Sequence, residues 1–344
     1  MLDPNLPIAL YAEATLGTLN AKMTEGILRY GSNPVVAVID STKAGLRVSD
    51  VCPIRSEVPV VASLEEAIQR GAVVLVLGTA PSGGRLPAAW LGTLEAAIDQ
   101  GLHLINGMHD RLEPVLRHRL RPGQWVWDLR VPQAEPPPIA MARAAALNNQ
   151  RVLMVGTDMA IGKMTAGLEL TRHLQGQGHD AVFLATGQIG IAITGRGIPL
   201  DAVLVDHAAG AVERMVLEAA GHDVLVIEGQ GSLLHPGSTA TLPLMRGSCC
   251  TAMILCHRAG MQRLDTIGEV SVPPLTEVIA LYEAVARAGG ALTPARVAAI
   301  AVDTSRLSAA DAETALQAIE DETGLPTADP VRQGTQRLAS AALG

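Results

Sequence analysis

Short aliphatic and β-branched runs alternate along the chain with longer stretches whose apolar positions recur at helical spacing. Strand, crossover helix and strand in that order build mostly parallel sheets with helices on their faces. In the first half the pattern predicts strands over residues 8–11, 34–39, 72–77 and 102–105. In the second it predicts strands over 151–155, 181–185, 202–205, 224–227, 252–256 and 297–302. Several helix ends are legible. Ser63 and Glu66 have the S-x-x-E spacing that satisfies free amides at a helix start, and Gly71 stands where a left-handed closing residue is wanted. Ser308 and Asp311 open a helix that should run to about Thr323, before Gly324. A short helix is expected over 141–147.

The run Val131 to Pro138, VPQAEPPP, has no amide hydrogen at four positions and suits neither a helix nor a central strand. It divides the chain into a Rossmann-like domain, residues 1–138, and a second α/β domain, residues 139–344. Two cores are what 344 residues with 48% hydrophobic side chains can fill.

Composition narrows the ligand. A net charge of -8 is wrong for a nucleic-acid footprint, and 2% aromatic residues leave little to stack bases on. The four cysteines, Cys52, Cys249, Cys250 and Cys256, have neither CxxC nor metal-finger spacing and read as reduced thiols. The start of the chain lacks the basic and apolar regions of a signal peptide, and no apolar run approaches the ~20 residues of a membrane span. The expectation is a cytoplasmic protein with a small-molecule substrate, further copies of itself as partners, and neither nucleic acid nor membrane.

Residues 152–165, VLMVGTDMAIGKMT, form the most informative segment: an apolar strand, a glycine-bounded loop, Gly162-Lys163, then a helix. Loop amides and a helix N-terminus can point at phosphate oxygens, a lysine adds a full charge, and a hydroxyl can approach Mg²⁺. The candidate phosphate-binding residues are Gly156, Thr157, Asp158, Ala160, Ile161, Gly162, Lys163, Met164 and Thr165. The loop departs from GxxxxGK[ST] in one extra residue before Gly162 and in Met164 after the lysine. Either Thr165 supplies the hydroxyl one position late, or a metal is held differently or not at all. The bland alternative is an ordinary glycine turn.

The strand over 224–227 ends in Glu228-Gly229-Gln230-Gly231, a carboxylate followed by glycines that permit close approach. Carboxyl edges of open α/β sheets are where ligands bind. Glu228 there could hold Mg²⁺ through water, act as a base, or simply face solvent. Thr186 to Gly190 and Val205-Asp206-His207 close two other predicted strands, and Asp206 or His207 could accept a proton or belong to a turn. His235 and Cys256-His257-Arg258 are weaker signals, Arg258 being readable as a surface ion pair. The first half has no G-x-G-x-x-G turn, which argues against a dinucleotide despite Asp40 at a strand end. Lys22, Thr24 and Arg29 share a helix-like stretch. The loops over 78–85, with Arg85, and over 106–110 could cap an anionic substrate or merely connect elements.

Taken in order, GTDMAIGKMT, ATGQIGIAITGRG, VIEGQGSLLHP and LCHRAG resemble the D-glutamate N-acetyltransferase family, formerly a domain of unknown function. The first-half stretches AKMTEGILRYG, AVIDSTKAG, APSGGRLP and NGMHDRL are similar to that family's Rossmann-like domain, so the likeness spans nearly the whole chain. The phosphate loop and VIEGQG are also similar to the P-loop domain of dethiobiotin synthetase and its cobyric-acid-synthase relatives.

What the resemblance implies is an N-terminal Rossmann-like parallel-sheet domain, a P-loop NTPase-like domain, and acetyl transfer from acetyl-CoA to the amine of D-glutamate or a related amino acid. The P-loop would hold the phosphates of coenzyme A. Glu228 is the first candidate base, with His207 and Asp206 behind it. Amides of Gly187, Gly229 or Gly231 could hold the oxyanion, with Gln188 and Gln230 beside them, and Arg85 or Arg196 the substrate carboxylates. The rival is an ATP-dependent, carboxylate-activating ligase or kinase with Mg²⁺ on Thr165 and Glu228. A third reading is a non-catalytic nucleotide-binding regulator.

Overall fold

The computed structural model describes residues 2–79, 84–131, 136–265, 267–287 and 294–344. The chain forms two compact units, one of Met1–Pro132 with Gln188–Ala202, the other of Gln133–Gly187 with Val203–Gly344.

The first unit is built on six parallel strands: β1 (Ile8–Tyr11), β2 (Val35–Ile39), β3 (Val60–Val61), β4 (Val74–Leu77), β5 (His103–Asn106) and β6 (Val126–Asp128). Their order across the sheet is β3-β2-β1-β4-β5-β6. Ala9, Leu75, Leu77 and Leu104 on the strands pack with Leu94 and Ile98 of the helix Leu91–Asp99. Such burial is the main term opposing chain entropy. This strand order is the dinucleotide-binding one. Yet Asp40, at the end of β2, is wholly buried and turned onto the chain itself. Its carboxylate accepts from the Leu16 amide at 3.1 Å and from the Thr42 hydroxyl at 2.6 Å. An acid spent on its neighbours in this way has no oxygen left for a ribose, in keeping with the missing glycine fingerprint.

The second unit repeats the architecture with β7 (Gln150–Gly156), β8 (Ala181–Leu184), β9 (Val224–Ile227), β10 (Ala252–Arg258), β11 (Arg296–Asp303) and β12 (Thr327–Ala328), ordered β12-β11-β10-β7-β9-β8. β7 is central and parallel to both neighbours. Gly156 lies opposite Cys256 of β10, and Leu153 opposite Ile227 of β9. The segment leaving β7 therefore starts between His257-Arg258 on one side and Glu228 on the other, at the point where the strand order changes direction.

Ser63 caps its helix by accepting from the Glu66 amide, and Ser308 caps Ala309–Thr323, which Gly324 closes at φ +68°. Two expected elements differ. No strand occupies 202–205: a 3-10 turn spans Leu200–Ala202 and a helix runs over Val205–Glu218. Leu204 and Val205 are about three-quarters exposed, at 73% and 74%, so this apolar run is the outer lip of a helix start. The helix is instead buried through Ala208, Ala211, Val212, Met215 and Val216, at the 3.6-residue period. The expected helix over 141–147 is a 3-10 turn, Arg143–Ala146, preceded by Ala142 in the left-handed region. That turn is strapped to the longer helix, where buried Glu213 accepts from the amides of Met141 and Arg143 and from the Arg143 guanidinium.

Candidate active site at the phosphate loop

The loop from Gly156 to Lys163 links β7 to the helix Lys163–Gly176. Ala160 at φ +53° and Gly162 at φ +94° are left-handed. Alternation of hand in successive residues turns backbone N–H groups toward one concavity, the nest that receives anions. The helix N-terminus adds its partial positive charge. Lys163, 6% exposed, folds back so that Nζ donates to the Asp158 carbonyl at 2.6 Å. Burial pushes its pKa down to about 8, against the opposing effect of neighbours that include Asp158 and Glu228.

On the other side of the loop, Glu228 is 4% exposed. Its Oε2 accepts from the amides of Thr186 at 2.7 Å and Gly187 at 3.0 Å, while the Thr186 hydroxyl donates to the Glu228 carbonyl. Oε1 accepts no hydrogen bond among the described residues. Burial pushes this carboxyl up to about 7, outweighing the two amides and the Lys163 charge, which favour the ionised form. The result is a fixed carboxyl with one open oxygen that changes charge near neutrality. Two glycines permit this packing. A Cβ on Gly229 would stand 1.7 Å from the Met154 carbonyl of β7, and one on Gly187 would stand 2.2 Å from Nε2 of Gln230. The Gln230 amide thus passes directly over Gly187, on the side where Oε1 of Glu228 lies.

The β10 end, which sequence reasoning undervalued, clamps the loop from outside. Thr157 Oγ1 is 3.0 Å from His257 Nδ1, and the Thr157 amide donates to the Cys256 carbonyl. Burial, then the charge of Arg258, hold the His257 pKa down at about 4, so the ring is neutral at physiological pH. Arg258 is no surface ion pair. It is 8% exposed and donates to the carbonyl of left-handed Ala160 at 2.9 Å, while pairing with Asp265 and Asp303. The Asp265 amide in turn donates to Asp158 Oδ2 at 2.9 Å. The only sequence signal for this role was an arginine at the end of a strand, because Ala160 and Asp303 are distant from it in sequence.

Residues 138–339 match the C-terminal P-loop domain of DUF1611, described as a domain of unknown function, and residues 41–132 match its N-terminal Rossmann-like domain. The chain belongs to the DUF1611 family. It is similar to two proteins named D-glutamate N-acetyltransferase. The one from Tritonibacter scottomollicae is 36% identical over 81% of this chain and 84% of its own length. The other, from a Pseudoalteromonas species, is 32% identical over 81% and 83%. The crystal structure of a DUF1611 family protein from Anabaena variabilis matches with a TM-score of 0.95 at 45% identity, over 98% of this chain and 99% of that one.

In this DUF1611 chain not every sequence candidate gathers at the loop. Asp206 and His207 close no strand; they sit in the first turn of Val205–Glu218, Asp206 exposed and His207 Nδ1 2.5 Å from the Pro137 carbonyl. The Gly187 amide, considered for an oxyanion, is already committed to Glu228. Gln188 and Arg196 belong to the first unit, as does Arg85, which is largely exposed and paired with Asp110 at 2.9 Å. Residues 80–83 of the loop that carries Arg85 lie outside the described residues. Met164 and Thr165 are half-buried in the first helical turn after Lys163. Among the described residues no helix is long and apolar enough to cross a membrane, and no group of three or more His, Cys, Asp or Glu could hold a metal ion.

A pH dependence follows for anion binding at the loop. An anion favours the ammonium form of Lys163, so above a pKa of about 8 binding must first recruit a proton. Affinity for inorganic pyrophosphate, measured by calorimetry, should change little between pH 7 and 8 and then fall, approaching about tenfold per pH unit. Undiminished affinity at pH 10 would place the anion away from Lys163.

Proposed function

We propose that this chain is an N-acetyltransferase that moves the acetyl group of acetyl-CoA to the amine of D-glutamate or a related amino acid, with the P-loop holding the donor's phosphates. The observation that carries the reading is the pairing of two features at one sheet edge. They are an anion nest with a buried lysine and, beside it, the anchored Glu228 carboxyl with Oε1 open. The names of the two curated relatives support the same class of reaction.

In this scheme coenzyme A lays phosphate oxygens against the amides of residues 160–165 and the Lys163 ammonium. The amino acid arrives as its ammonium and must lose a proton before nitrogen can attack. Glu228 Oε1 takes that proton; with a pKa of about 7 the carboxylate is present at neutral pH and basic enough to accept it. Nitrogen then attacks the thioester carbonyl, the C–N bond forms, the C–S bond breaks, and the second proton released by the acylated nitrogen goes to the departing thiolate to give free coenzyme A. The Gln230 amide replaces Gly187 as donor to the developing oxyanion, since its Nε2 lies beside Glu228 while the Gly187 N–H is spent.

The ATP-dependent alternative uses the same loop, with Glu228 Oε1 and the Thr165 hydroxyl as the protein oxygens available to Mg²⁺. Incubating the purified chain with acetyl-CoA and D-glutamate separates the two. N-acetyl-D-glutamate and an equal amount of free thiol should form in EDTA without ATP. Product only with ATP and Mg²⁺, accompanied by amino-acid-dependent ADP, would replace acetyl transfer with phosphoryl activation.

A further inference from the structure

Tyr282 has no part in the scheme above, yet it is the tyrosine buried most completely, with no exposed surface, on the helix Leu275–Arg287. A buried tyrosine needs partners for its hydroxyl. Its hydroxyl meets backbone at the end of β7 and in the segment after β9, where the Ser232 side chain is a further hydrogen-bond partner. Oη donates to the Gly156 carbonyl at 2.7 Å and accepts from the Leu233 amide at 3.2 Å, with the Gly156 amide at a longer 3.4 Å. Gly156 is the root of the phosphate loop. Leu233 lies five residues beyond Glu228, in the segment that also carries Gln230.

The 229–234 segment is otherwise knit to itself and to the helix behind it. The Ser232 amide donates to Ser238 Oγ, the Leu234 amide to Ser232 Oγ, and the Thr241 hydroxyl to the Gln230 carbonyl. Among the described residues no direct hydrogen bond joins this segment to 156–162. The Tyr282 hydroxyl is the polar bridge between them. A phenylalanine would fill the same apolar space, so packing alone does not call for the oxygen.

We propose that Tyr282 is a positioning residue whose hydroxyl locks the root of the phosphate loop to the segment after Glu228, so that filling the loop orders the residues that act on the acyl group. The inference rests on the acetyl-transfer reading for its function and on the hydrogen bonds alone for its mechanics. Tyr282→Phe deletes one atom and leaves the ring in place.

Hydrogen exchange on the full chain tests it. In the free protein Tyr282→Phe should speed exchange in 156–162 and 229–234 together by about five- to tenfold, the loss of one net hydrogen bond. The helix Ala309–Thr323 should keep its rate. Added coenzyme A should protect both segments in the wild type and only 156–162 in the variant, whose kcat falls more than its KM rises. Faster exchange in one segment alone, or equally throughout the second unit, would overturn the proposal. So would full protection of 229–234 by coenzyme A in the variant. If coenzyme A protects neither segment of the wild type, the phosphate reading fails, while the comparison of free proteins still decides the role of Tyr282.

Discussion

Lys163→Met is expected to raise the stability of the free protein while removing most of its affinity for coenzyme A. The two effects have one cause. The ammonium is held at 6% exposure with its Nζ hydrogen-bonded to a carbonyl of its own loop, and its pKa has fallen from 10.5 to about 8. A group whose charged form is disfavoured by folding destabilises the native state while it is protonated. For a lysine with a lowered folded pKa, that cost is full below about pH 8 and disappears as pH rises to about 10.5, where the unfolded chain also releases its proton. Replacing it by an apolar side chain of similar length should therefore raise the melting temperature at pH 7, by a free energy on the order of a few kcal/mol, with no gain near pH 11. The ligand effect runs the other way. A charge-assisted hydrogen bond to phosphate is worth about 1.5–3 kcal/mol, so affinity should drop roughly 10- to 150-fold. Thermal shift with and without coenzyme A reads both. A variant that is less stable when free and equally stabilised by ligand would show Lys163 to be a structural residue.

The second large effect is on turnover. Glu228→Gln keeps an oxygen for the amides of Thr186 and Gly187 and keeps the shape of the side chain, so the fold is expected to persist. In the proposed mechanism what is lost is the proton acceptor, and general-base removal costs roughly 10²- to 10⁴-fold in kcat. The wild-type rate should fall as pH drops through about 7, because burial has raised this carboxyl and the acid form cannot accept a proton. The variant's residual rate should lack that acidic limb. Coenzyme A affinity should be retained or slightly improved above pH 7, since a negative charge near the phosphate nest has been removed. A variant with wild-type kcat and the same acidic limb would assign the base elsewhere.

Local pattern was a good guide wherever the environment along the chain is uniform. β1 and β9 lie over 8–11 and 224–227 as their apolar runs predict, and Ser308 and Gly324 bound their helix because caps act on backbone groups within a few residues. The same locality misled at 202–205, where an apolar run of strand length is an exposed helix entrance. The two-residue strands β3 and β12 gave too little pattern to read, since pairing with a longer neighbour defines them.

Sequence by itself determined the alternation of strands and helices, the phosphate loop with its lysine, and a carboxylate at the end of β9, because each depends on residues adjacent in the chain. Tertiary structure alone decided what those residues can do. Lys163 and Glu228 have altered proton affinities because segments far apart in sequence exclude water from both. Arg258 holds the loop through Ala160, 98 positions away, and Tyr282 reaches Gly156 across 126. The grouping of Gln188–Ala202 with the first unit, and the turning of Asp40 onto the chain, likewise follow from contacts between segments distant in sequence, where local propensity carries no information.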